Sequence, residues 1–223
     1  HYISYSTLFN ILLWLLWLLI IIWLVDFLIE SFIALTITEQ LALIVGIKLL
    51  LLSELMLFFA CFWVYINYRL IGSVLLLFYF PLLSCYSFSI PFANLLILLF
   101  SSLPIQCSQI FIKIGFLNYS IEGLGQSPSA GFYSIILQCK EFSYSYFSLT
   151  DCLIGSIHYF TTGLHGFHVL LGSFLFYIIL FYIMFSSIYP FYFMEFSFPL
   201  FLSSHHWHFV DFIWFLVFIL FIV

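Results

Sequence analysis

The chain has 223 residues, of which 66% are hydrophobic and only 6% charged, and its mean hydropathy is +1.28. A soluble domain carries roughly a quarter charged residues, so no water-soluble fold can hide this much apolar surface. Nine acids against four bases leave a net charge of −5, which excludes nucleic acid as a partner.

The apolar runs are too long, and alternate too little, for the ~10-residue strands of a transmembrane barrel. The composition therefore predicts an all-α fold, a polytopic transmembrane helix bundle in one domain over 1–223. At about 20 mostly apolar residues per crossing, six transmembrane helices are expected, over 8–29, 39–67, 91–113, 131–147, 151–186 and 200–223. In the first run Trp14, Trp17 and Trp23 are scattered along the length rather than gathered in an interfacial belt. That run is also too long to be a removed signal peptide. The second contains Lys48, Ser53 and Glu54 and closes on Tyr65, Tyr68 and Arg69, residue types that anchor at a membrane surface.

Residues 70–89 are apolar but interrupted by Gly72 and Pro81, and read as a connector lying against the protein or the interface. Pro91 suits the opening of a third helix and Pro104 a kink within it. Residues 114–130, with Gly123, Gly125 and Pro128, are expected to form a connecting loop. A second, aromatic connector over 187–199 contains Pro190 and Pro199. Lys48, Arg69, Lys113 and Lys140 show no asymmetry that would orient the chain. The five cysteines (Cys61, Cys85, Cys107, Cys139 and Cys152) include no C-x-x-C pair and read as small packing residues. Packing does not demand 32 phenylalanines, whereas a nucleotide-biased genome such as an organelle's would produce them.

Polar residues concentrate in 151–173, DCLIGSIHYFTTGLHGFHVLLGS. Asp151, His158 and His165 are seven apart and share a helix face, with His168 close to the same line. Gly155, Gly163, Gly166 and Gly172 would let a neighbouring helix approach closely. Glu54 stands mid-span, where an isolated ionised carboxylate is costly, so it is expected to be protonated or paired across helices. The histidine stripe is the richest source of partners, and Lys48 lies on a different face. Glu54, His158, His165 and His168 are accordingly expected to form an intramembrane polar network.

His165 and His168 could take a metal together, with His205, His206 or His208 recruited. Hydrogen-bonded core histidines are the preferred reading, and no metal site is assigned. In HHWHFVD (205–211), His208 and Asp211 suit an intrahelical bond, while Trp207 and the histidines read equally as a headgroup anchor. No phosphate loop, nucleophile triad or paired-carboxylate pattern supplies a catalytic residue, and G-L-G at 123–125 follows no strand.

Three segments, SELMLFFACFW (53–63), TTGLHGFHVLLGS (161–173) and WHFVDFIW (207–214), resemble signatures of cytochrome c oxidase subunit III and stand in that family's order. LQCKEFSYSYFSLTD (137–151) matches more weakly where the family has Q-x-x-E-Y-Y-x-x-x-F-x-x-D. The resemblance implies a non-catalytic subunit of mitochondrial cytochrome c oxidase, respiratory complex IV, spanning the inner membrane several times. It would pack on subunit I and the other subunits, hold structural phospholipid, and support proton uptake while electrons pass from cytochrome c to oxygen. Haem a and copper would lie in the partner subunits, with no cofactor bound by this chain.

The family's intramembrane glutamate falls on Glu54, its HGxH pair on His165 and His168, and its HFVD pair on His208 and Asp211. Trp63, Trp207, His208 and Asp211 are expected to fix packing or lipid. The family has seven helices, and the first span here, ending VDFLIES, resembles its second. A first helix is therefore expected to be absent, truncated or supplied by a separate chain. The apolar 70–89 replaces a hydrophilic family loop, and Phe201 stands where the family carries an acid. One rival is a haem-binding membrane anchor of a quinone-linked complex, pairing His158 or His165 with His205 or His206. Another is a proton-coupled secondary transporter using Glu54, which would favour inverted repeats.

Overall fold

The computed structural model describes residues 14–19, 22, 26, 37–71, 89–145, 147–150, 153–186 and 197–221. Five long helices are built from them: α1 (Ile37–Ile71), α2 (Ser89–Ile114), α3 (Leu117–Tyr144), α4 (Leu153–Ser186) and α5 (Ser197–Phe221). The described residues contain no strand. Helices α1, α2, α4 and α5 are each long and apolar enough to cross a bilayer. The chain is an all-helical integral membrane protein, the form in which every backbone polar group is satisfied inside its own helix. Of the span expected over 8–29, residues 14–19, 22 and 26 are described and are helical, and the rest lies outside the described residues, as do 72–88 and 187–196 within the two apolar and aromatic connectors.

The loop expected over 114–130 is replaced by helix from Leu117 onward. Glycine, serine and proline punctuate soluble chains, but here they form a packing face. Ser120, Leu124, Ser127, Gly131, Ser134 and Gln138 recur every three or four residues and are all buried. Small residues at that spacing let helix backbones close on one another. A Cβ added at Gly123 would lie 2.7 Å from the Pro104 carbonyl oxygen and against Ser108 Oγ. Ser127 Oγ donates to the Ser101 carbonyl at 2.9 Å. This polar face is also why α3 falls short of the other four helices in hydropathy: its small and polar residues are turned into the bundle rather than to lipid.

The α2–α3 connection needs only Gly115 and Phe116. Gly115 has φ +91°, and its N–H donates to the Ile112 carbonyl at 3.1 Å. Phe116 N–H donates to the Phe111 carbonyl at 2.9 Å, completing a Schellman closure of α2. Helix α5 lies antiparallel to α2. Gln109 Nε2 donates to Ser204 Oγ at 2.6 Å, Trp207 Nε1 donates to Ser101 Oγ at 3.0 Å, and Phe92 meets Phe218 at 6.0 Å, so α2 positions fall as α5 positions rise. Helix α1 attaches through an aromatic stripe of Phe58, Phe62 and Tyr65, with the Tyr65 ring 4.1 Å from Phe221.

An intramembrane glutamate and histidine cluster

Glu54 is one turn before Phe58 on α1, so the stripe that buries Phe58 carries the carboxylate toward α4. Its Oε2 lies 3.5 Å from His168 Nδ1, at the outer limit of a hydrogen bond. His206 of α5 closes the third side. One ligand-type atom from each of Glu54, His168 and His206 lies within 4.8 Å of the other two, and the imidazole centroids are 6.0 Å apart. His168 and His206 are 6% and 7% exposed, whereas the Glu54 side chain retains 23%. Phe58, with its ring 5.7 Å from His168, forms an apolar wall.

Gly172, one turn beyond His168, is what admits α5. A Cβ there would lie 2.9 Å from the Trp207 ring and 3.3 Å from His206 Nδ1, so any side chain would push His206 away from the cluster.

Of the four residues expected to share a network, Glu54 and His168 meet, and His165 and His158 do not join them. His165 stacks on Trp214 at 4.7 Å and 28°, and neither of its ring nitrogens has a hydrogen-bond partner among the described residues. His158 sits between Phe147 at 5.4 Å and Phe221 at 5.5 Å. Both rings thus pack against aromatic neighbours rather than against Glu54.

The bond expected between His208 and Asp211 is not formed. Three residues of helix turn the two side chains enough to bury Asp211 and leave His208 at the rim, and neither Asp211 oxygen has a hydrogen-bond partner among the described residues. Trp207 does not anchor at a membrane surface. It is 0% exposed, bonds to Ser101, and meets Phe176 edge-on at 5.4 Å and 69°. Trp63, 67% exposed, faces outward from α1. His205 is exposed, with Nδ1 donating to the Phe201 carbonyl at 2.8 Å.

Sequence reasoning gave no role to Gln138, the glutamine of the weaker family match, whose Nε2 donates to the Thr162 carbonyl, and whose amide lies where a Cβ on Gly166 would have to go. It also passed over the Gln109–Ser204 bond between α2 and α5. The signal was present as amides recurring among small residues at helical spacing in otherwise apolar surroundings. Chemically, the Glu54–His168–His206 cluster can share a proton or hold a cation, and its three groups come from three different helices.

Comparison with known proteins places the chain clearly. A family model for cytochrome c oxidase subunit III matches residues 1–223. The chain is similar to cytochrome c oxidase subunit 3 of Cyanidium caldarium, 33% identical over 81% of this chain and 66% of that protein. It is also similar to the subunit 3 of Schizophyllum commune, 31% identical over 90% of this chain and 75% of that one. The subunit 3 of Enteroctopus dofleini is 34% identical over 57% of this chain and 64% of its own length. The chain thus spans about two thirds of the length of these relatives.

Proposed function

Because the chain belongs to the cytochrome c oxidase subunit III family, we propose that it is a non-catalytic core subunit of mitochondrial cytochrome c oxidase, packed on subunit I in the inner membrane. In that setting electrons pass from cytochrome c to oxygen through haem a and copper held by the partner subunits. This chain contributes helix packing, lipid binding and support for proton uptake.

The observation that carries the reading is the placement of the polar groups. Glu54, His168, His206 and Gln138 lie at helix–helix contacts, while Trp63 and the outer faces stay apolar. Such a bundle is suited to docking against other membrane helices and to holding a small internal polar site. An apolar cleft of about 500 Å³ between α1 and the start of α4, lined by Leu57, Cys61, Val64, Ile157 and Phe160, fits an acyl chain and supports the structural phospholipid.

The test is purification through a tag on this chain in gentle detergent, followed by an optical spectrum and mass spectrometry of the co-purifying subunits. An a-type haem spectrum is expected, together with a large many-helix partner, and the haem should leave when that partner is stripped away. Haem retained by the stripped chain would instead make its histidines ligands and overturn the proposal.

A further inference from the structure

We propose that Glu54, His168 and His206 form a binding site for a divalent transition-metal ion, with Zn²⁺ the best match to the donor set. Two imidazoles and one carboxylate are a recurrent zinc ligand set, three protein ligands leaving a fourth position for water or another small ligand. Softer sites would need thiolates, and Mg²⁺ or Ca²⁺ would need more oxygens.

Geometry supports the assignment. Zinc bonds of ~2.0–2.2 Å in a tetrahedral arrangement place ligand atoms about 3.4 Å apart. The Glu54 Oε2 to His168 Nδ1 separation is already 3.5 Å, and the three ligand atoms lie within 4.8 Å of one another. The gap left to close is at most ~1.4 Å between ligand atoms.

A second observation comes from hydrogen bonding. Both ring nitrogens of the buried His206 lack a hydrogen-bond partner among the described residues, as do His168 Nδ1 and Glu54 Oε2. Leaving such groups unsatisfied in an apolar interior is costly. A shared proton can bridge Glu54 and His168 but leaves His206 unserved, whereas one cation serves all three. The carboxylate offsets one of its two charges, and the partly exposed Glu54 side leaves room for the fourth ligand. The ion would tie α1 to α4 and α5 at one point.

The test uses the full chain in detergent micelles, with Zn²⁺ and Co²⁺ as probes. One equivalent of Zn²⁺ should survive dialysis, and Co²⁺ in its place should give the visible bands of a four-coordinate ion. His206→Gln and Glu54→Gln should each weaken binding by more than the ~100-fold upper end of lost second-shell support. His205→Gln, on the exposed side of the same turn, should bind like the wild type. Absence of saturable binding, or equal titrations for wild type and His206→Gln, marks an adventitious ion only and overturns the site.

A measurement on the unmodified chain guards against misfolded variants. Zn²⁺, but not Mg²⁺, should protect Glu54 from a lipid-soluble carbodiimide, because a metal-bound carboxylate does not react. Equal labelling with and without Zn²⁺ also overturns it.

Discussion

Trp207→Ala is expected to destabilise the bundle by about 3 kcal/mol, the low end of the range for removing a buried tryptophan. The low end applies because lipid tails are as apolar as a leucine side chain, so the water-transfer part of the usual cost shrinks. What remains is the cavity and its lost dispersion contacts. Those contacts are unusually distributed: the indole bonds Ser101 of α2, packs on Phe176 of α4, and lies where Cβ atoms on Gly131 of α3 and Gly172 of α4 would go. One side chain of α5 therefore touches three other helices. Trp207→Phe keeps most of the volume and loses the bond to Ser101, a cost of about 1 kcal/mol. Thermal unfolding in mild detergent, followed by near-ultraviolet circular dichroism, should show a drop on the order of 10 °C for alanine and a few degrees for phenylalanine. An alanine variant no worse than phenylalanine would contradict this role.

Gly131→Leu is expected to undock α3. Even a Cβ at this position would lie 2.7 Å from the Trp207 ring and against Ser173 Oγ, with Val169 Cγ1 at 3.4 Å. Both sides of that contact are fully buried rings and helix faces with little room to retreat, so overpacking should cost at least ~3 kcal/mol, the upper part of its usual range. Gly125 is the internal control. It lies six residues earlier on another face of the same helix, and a Cβ there would have nothing within 4 Å. Gly125→Ala should be neutral or stabilise α3 by up to ~1 kcal/mol through helix propensity. Protease susceptibility of the α3 segment, compared among the variants, separates the two. Similar behaviour at both positions would show that α3 is not seated through its small-residue face.

Fold class was legible in the sequence because composition alone decides it: so few charges spread over so many long apolar runs leave only a helical membrane bundle. Glu54 was legible as a residue in need of a partner, and the histidine stripe as the source of one, because a lone carboxylate at lipid depth is conspicuous. Which histidine would meet it was not. His158, His165 and His168 look equivalent along one helix, and the choice is made by where α1 and α5 cross α4. His206 could be named only together with His205 and His208, since its inward turn follows from the close approach that Gly172 allows. Trp207 was legible only as either a packing residue or a headgroup anchor, because tryptophan beside histidines is common both at membrane surfaces and in cores, and only the Ser101 partner distinguishes them. The start of α3 was hidden for a related reason: serine, glycine and proline carry opposite meanings in water and in a membrane interior.

The turn at Gly115 and Phe116 also bears on how the chain enters the bilayer. Alone, α3 would be reluctant to leave the membrane surface, since the face bearing Ser120, Ser127, Ser134 and Gln138 would meet lipid uncovered. With two residues between the helices, α3 can reach the hydrocarbon only alongside α2, whose Pro104 and Ser101 carbonyls already face Gly123 and Ser127. The hairpin can thus enter as one unit with Gly123 and Ser127 already covered by α2, while Gln138 finds its partner only when Thr162 of α4 arrives.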